Sequence, residues 1–199
     1  MSEEIRTFRV DIKGITPMLH HNPASMGNEE LQALIRVLQK NPNDKEAYTK
    51  EAEHYLYRNR DNILCIPTKQ IKRSMELAGK KFKVRGQGNT RYDHYVHAFV
   101  LLSPNLAQLE PQEYQLHREF VIVNRARIIR TRPMFPSGWT TSFNMTVLEK
   151  SIPEDTLEEI LEYAGNFNGI GDYRGEFGRF EVTKFESVDT SNSKKSRKS

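Results

Sequence analysis

The sequence predicts an α+β fold in which two strand–helix–strand units follow one another, the βαββαβ order of a ferredoxin-like or RRM-like domain. Three observations carry this. Residues 5–12, IRTFRVDI, alternate in polarity as a half-buried strand does. Residues 67–80 and 153–164 each place apolar side chains on one helical face and charge on the other. The stretches YVHAFVLL at 95–102, WTTSFNMTVL at 139–148 and RFEVTKFESV at 179–188 are rich in strand formers and fall where that order needs strands.

Taken in order, the first strand is followed by a turn-rich connection, GITPMLHHNPASMGN. Residues 29–39 and 44–57 read as two helices separated by NPND, a stop followed by a cap, so 28–57 is a helical insertion. ILCIP at 63–67 is a short strand end. In the helix that follows, Ile71, Met75, Ala78 and Phe82 share one face, while Lys69, Lys72, Arg73, Glu76 and Lys80 share the other. EFVIVNRARIIR at 119–130 reads as one extra strand, with RPMFPSGW as the tip of an extended hairpin over 119–138. The helix at 153–164 turns Leu157, Ile160, Leu161 and Ala164 inward, with proline in its first turn and Gly165 at its end. Residues 1–188 are expected to form a single domain and 189–199 a disordered basic tail.

The apolar content of 37% suits a soluble protein, and no apolar run approaches the roughly 20 residues that span a membrane. No signal-peptide core follows the N-terminus. A single cysteine, Cys65, excludes an internal disulfide and any cysteine-based metal site, so a cytoplasmic setting is the simplest fit. The net charge of +4 resides in the tail: without Lys194, Lys195, Arg197 and Lys198, 26 basic residues face 26 acidic ones. Distribution tells more than the total. From Pro67 to Arg91, eight cations meet one acid, Glu76, and from Arg118 to Arg132 five arginines meet Glu119. The helix at 153–164 is acidic by contrast. Segregated charge of this kind steers a polyanion to one side of a neutral body. It also allows head-to-tail association of copies, as in a ring or filament.

The stretch FNGIGDYRGEFGRFEV at 167–182 combines Gly169, Gly171, Gly175 and Gly178 with Arg174 and Arg179. Glycine lets backbone N–H groups come close to a phosphate, arginine forks hold one, and Tyr173 offers a ring on which a base can stack. The connection is longer than a helix-to-strand link requires, which points to function. The alternative is a loop whose glycines serve turns only. On the basic helix, Lys69, Lys72 and Arg73 are phosphate-binding candidates. On the extra strand, Arg125 and Arg127 share one face, while Arg130 and Arg132 share the other. Phe135 and Trp139 are either exposed stacking residues or core.

GIGDYRGEFGRFEV resembles the C-terminal glycine-rich motif of the RAMP superfamily of CRISPR-associated proteins, roughly G-x-G-x-x-R-x-x-G-F/Y-G-R-F. LCIPTKQIKRSMELAG at 64–79 is similar to the family's strand that delivers a proline into the first helix, and KGITPMLHHN at 13–22 to its exit from the first strand. The resemblance implies an RRM-like fold and RNA binding through the glycine-rich loop and the basic first helix. The chain is short for a guide-coating backbone subunit, and Asp172 and Glu176 stand where the motif more often has arginine or an apolar residue. A stand-alone or phage-encoded relative fits that departure.

The favoured reading is therefore a protein that holds single-stranded nucleic acid, RNA over DNA, without a cofactor or metal, as a monomer or a repeating subunit. One alternative is a metal-independent endoribonuclease using His20 or His21 as general acid or base, with Lys69 or Lys72 assisting. A second is a structural or adaptor protein of a phage assembly that presents the same surface to an acidic partner. Asp93, His94 and His97 suggest a metal only weakly, because on a strand the two histidines face opposite ways.

Overall fold

Strand β1 (Arg6–Gly14) forms because Phe8, Val10 and Ile12 alternate with polar residues, and all three are buried. The computed structural model describes residues 5–123, 125–149 and 152–188; the tail expected at 189–199 lies outside them. After β1 come β2 (Met18–Leu19), α1 (Glu29–Lys40), α2 (Lys45–His54), β3 (Cys65–Pro67) and α3 (Thr68–Gly79). Then follow α4 (Tyr92–Phe99), β4 (Val100–Ser103), β5 (Leu106–Glu110), β6 (Gln115–Val123), β7 (Ala126–Phe135) and β8 (Thr140–Val147). The last elements are α5 (Glu154–Tyr163), a π-turn at Ala164–Asn168 and β9 (Phe180–Ser187).

The main sheet is antiparallel. β1 sits between β9 and β8; β8 pairs on its other side with β5 near its start and β4 near its end, and β3 pairs beyond β5. With β4 and β5 counted as one interrupted strand, this is the βαββαβ ferredoxin-like arrangement the sequence predicts. Helices α3 and α5 cover one face. Their Ile71, Met75 and Ala78, and Leu157, Ile160 and Leu161, join Phe8, Val10, Phe143 and Met145 in one core.

The opposite face is polar. On it Arg9 stands beside Glu186, Asp11 beside Lys184 and Lys13 beside Glu181, while β8 contributes Thr140, Ser142, Asn144 and Thr146. The cross-strand charges cancel, and none of these side chains is aromatic. A base-stacking platform of the kind RRM sheets use is not built here.

A second, three-stranded sheet, in the order β2-β7-β6, stands off the first. Its β6–β7 hairpin is anchored on the helical insertion. The Arg118 guanidinium lies 4.1 Å from the Tyr48 ring centroid and donates to the Pro42 carbonyl. The insertion itself is capped as the sequence suggests: Asn28 accepts from Leu31 N and Asp44 from Ala47 N.

Three expectations are corrected. Residues 95–99 are not strand; α4 runs over Tyr92–Phe99, and strand begins only at Val100. Tyr92 and Val96, four apart, both bury, as helical spacing allows. Gly79 lets α4 approach, since a Cβ there would lie 2.7 Å from Asp93 N. Next, 119–130 is not one strand. Val123 pairs with Ala126, so the chain reverses between them, with Arg125 in the turn at φ 67°. Arg125 therefore shares no strand face with Arg127. Finally, the hairpin tip is not RPMFPSGW. Phe135 and Trp139 are fully buried, and the Trp139 indole donates to the Thr16 carbonyl at 3.0 Å.

Candidate nucleic-acid interface

The glycine-rich loop follows the π-turn and lies across the exit of β1. Asp172 N donates to the Leu19 carbonyl at 2.9 Å, Gly178 N to Pro17 at 2.8 Å and Arg179 N to Thr16 Oγ1 at 3.0 Å. On the other side Gly171 N donates to Gln70 Oε1 of α3 at 3.1 Å. Gly169 N, Ile170 N, Tyr173 N and Phe177 N are also bonded within the protein. The amides from 169 to 173 are thus committed, and a backbone phosphate cradle is left only the tip around Arg174, Gly175 and Glu176.

The glycines instead permit close packing. A Cβ on Gly178 would fall 1.7 Å from the Ile170 carbonyl oxygen, and one on Gly171 would fall 2.6 Å from that of Leu19. Gly175, at φ 96°, meets nothing within 4 Å. Gly178→Ala is accordingly expected to destabilise by about 3 kcal/mol or more, since strain and overpacking add. Gly175→Ala, which carries only the left-handed strain, should lose about 1–2 kcal/mol. Urea denaturation of both variants checks the contrast.

Beside this loop lies an open groove of about 570 Å³. Its walls are α1 (Leu31, Ile35, Gln39), the hairpin (Val121, Ile122, Arg130, Arg132) and, at one end, His21, Tyr55 and Tyr173. Two carboxylates organise it. Asp172 Oδ2 lies 2.7 Å from Arg132 Nε and 3.3 Å from His21 Nδ1. The contact with His21, aided by the Arg132 charge, holds the Asp172 carboxyl below its ordinary range against the opposing effect of burial. Glu51 of α2, fully buried, accepts from Thr131 N at 3.1 Å and faces Arg130 Nη1 at 3.4 Å. Burial raises the Glu51 carboxyl pKa, and the Arg130 charge opposes the rise. Asp172, a departure from the resembled motif, therefore acts as an internal brace.

The two adjacent histidines part company. His20 is wholly buried between Tyr57 and Phe135, and neither of its ring nitrogens has a hydrogen-bond partner among the described residues. Burial drives its pKa from 6.5 down to about 3, so it stays neutral and out of reach of a substrate. His21 is partly exposed and lines the groove. Because the unfolded chain binds the His20 proton more readily than the fold does, His20 lowers stability as pH falls from about 6.5 toward 3. The loss is at most about 1.4 kcal/mol per pH unit. Denaturation midpoints of His20→Leu should fall less steeply over that interval than those of the parent.

The cations predicted from sequence divide into three groups. Lys72 turns toward α4, its Nζ donating to the His97 carbonyl at 2.9 Å, and Arg73 donates to Glu76 of its own helix at 2.7 Å. Glu76 is also held by His97, so the basic stripe is partly paired. Lys69 is exposed beside a separate cleft lined by Tyr57, Thr68 and Asn105. Arg125, Arg127, Arg174 and Arg179 are exposed with no carboxylate partner among the described residues. Of these, Arg127 packs 4.3 Å from the Phe120 ring centroid, and Arg179 Nε donates to the Gly175 carbonyl at 2.6 Å. Tyr173 is 40% exposed, with the Arg132 guanidinium 5.0 Å from its ring centroid. The loop tip also reaches the hairpin, because Phe177 meets His117 edge-on at 5.4 Å. Among the described residues no cluster of three or more His, Cys, Asp or Glu is placed to hold a metal, and no helix is long and apolar enough to cross a membrane.

The class this geometry defines is a ferredoxin-like α+β fold whose glycine-rich loop and long hairpin frame a groove. The chain is similar in fold to one in the cryo-EM structure of the Type III-B Cmr-beta bound to cognate target RNA. The TM-score is 0.57 at 13% sequence identity, over 94% of this chain and 62% of the other. It thus spans less than two thirds of that neighbour's length. No protein-family model matches the sequence, and no curated protein matches it at significant similarity.

Proposed function

We propose that this protein is a RAMP-type RNA-binding protein that holds single-stranded RNA at the end of the molecule where the glycine-rich loop meets the β6–β7 hairpin. The observation that carries the reading is the contrast among the arginines. Arg118, Arg130 and Arg132 are committed within the fold, whereas Arg125 and Arg127 of the hairpin and Arg174 and Arg179 of the loop are exposed with no carboxylate partner among the described residues. Exposed arginine without a carboxylate partner is what a phosphate backbone recruits. The fold neighbour was determined with target RNA bound, which favours RNA over DNA. Assembly of copies into a ribonucleoprotein is part of the same proposal, with the acidic outer face of α5 meeting a basic neighbour.

The test is direct. Protein purified at gentle salt should carry nuclease-sensitive nucleic acid, and a labelled single-stranded RNA should bind more tightly than DNA of the same sequence, with steep salt dependence. A clean protein spectrum with no binding at low salt would refute the reading and favour the adaptor role.

One observation supports endoribonuclease activity as a second reading: His21, beside Asp172, sits on the groove with Arg132 at hand. His21→Ala should then abolish cleavage of a bound RNA while sparing its affinity, and wild-type protein that leaves RNA intact would dismiss it.

A further inference from the structure

We infer that the groove between α1, the hairpin and Tyr173 seats one unstacked nucleobase, while the phosphates run outside it along the free arginines. This rests on the nucleic-acid reading and adds what the groove itself recognises.

Charge bookkeeping points to a neutral ligand. The groove's two arginines are each matched by a carboxylate, Arg130 by Glu51 and Arg132 by Asp172. A phosphate entering there would meet the repulsion of those carboxylates. The walls suit a flat aromatic instead. Ile35 of α1 and Ile122 of the hairpin supply apolar surface, and Tyr173 supplies a ring already backed by the Arg132 guanidinium. Polar groups on the groove that can meet a base edge include the Gln39 amide of α1 and the His21 imidazole. Asp172 Oδ2 engages His21 Nδ1 at 3.3 Å, so Nε2 is the ring nitrogen left to meet a base edge. The groove's volume of about 570 Å³ lies within the range that holds small organic ligands.

The outer surface continues the path. Gln39 and Arg130 also line a second cleft with Phe120 and Arg127, so the groove opens toward a free cation on the hairpin. A base inside and a phosphate at Arg127 or Arg174 would satisfy both sets of groups together.

The experiment compares two oligomers of equal length and charge, a single-stranded RNA and a fully abasic chain, by fluorescence anisotropy. Wild type should prefer the base-bearing chain by about tenfold or more, the scale of one base–aromatic stack. Ile35→Trp, which fills the groove from α1, and Tyr173→Ala, an exposed truncation, should each erase the preference while leaving abasic binding unchanged. Two variants guard against misfolding of one. Arg125→Ala with Arg127→Ala should weaken both chains equally and keep their ratio. Equal affinity of wild type for the two chains, or a preference that survives both groove variants, would overturn the base pocket while leaving nucleic-acid binding intact. Failure of wild type to bind either chain would overturn both readings.

Discussion

Alanine at Arg125, Arg127 and Arg174 together is expected to weaken single-stranded RNA binding about 100-fold at low salt. Each guanidinium is exposed and has no carboxylate partner among the described residues, so none holds an ion pair of the fold. Losing a phosphate contact from each removes roughly 1 kcal/mol per site, and three such losses multiply to about that factor. The salt dependence carries a more specific signature. With about 0.7 counterions released per single-strand phosphate neutralised, three lost contacts should reduce the slope of log K against log salt by about 2. The comparison variant is Lys72→Ala with Arg73→Ala. Those side chains are engaged with His97 and Glu76, so their removal should change the slope by much less. Equal effects from the two variants would mean that binding senses general charge and not this surface.

The largest effect on stability is expected from Glu51→Ala, about 3–5 kcal/mol by chemical denaturation. Glu51 is fully buried, and its carboxylate serves both Arg130 and the Thr131 amide. Alanine leaves a cation with 14% side-chain exposure and a buried N–H without their partner. Glu51→Gln keeps an acceptor for Thr131 N and should lose less. Combining Glu51→Leu with Arg130→Met, which removes the charge and its counter-charge together, should recover most of the loss. A double variant no better than Glu51→Ala would show that packing at the α2–β7 contact, and not an orphaned charge, dominates.

The fold was largely legible because its signals are local. The alternation at Phe8, Val10 and Ile12, and the helical spacing of Ile71, Met75 and Ala78, each name an element and its buried face. The errors arose where local preference is weak. Tyr92 to Phe99 mixes aromatic and histidine residues with similar leanings to helix and strand, and contact with Gly79 of α3 decides the matter. The reversal at Arg125 carries no glycine and lies between two apolar stretches that read as one strand.

The site was less legible, because it is assembled from segments distant in sequence. The loop glycines and Tyr173 stood out by composition, but their roles did not. Gly171 and Gly178 make room for the backbone of the β1 exit and of the loop itself, which no spacing rule reveals. Asp172 read as an obstacle to phosphate binding until its partners, His21 and Arg132, came into view. Gln39, Ile35 and Tyr55 of the groove had no sequence signal beyond helical periodicity and were missed. The pairing of Arg130 and Arg132 on one strand face was visible, and the structure turns that face toward carboxylates.

The bonds that fasten the hairpin to the insertion have a kinetic consequence. Arg118 reaches Tyr48 and Pro42, while Glu51 reaches Thr131, so the two segments are riveted at the hairpin's base. In native-state hydrogen exchange, amides of α1, α2, β6 and β7 should open together as one cooperative unit, at lower free energy than those of β1 and β8. A strand threaded through the groove would touch both halves of that unit at once. Capture would then be read as slowed exchange across all four elements, which behave as one jaw opening against a fixed sheet.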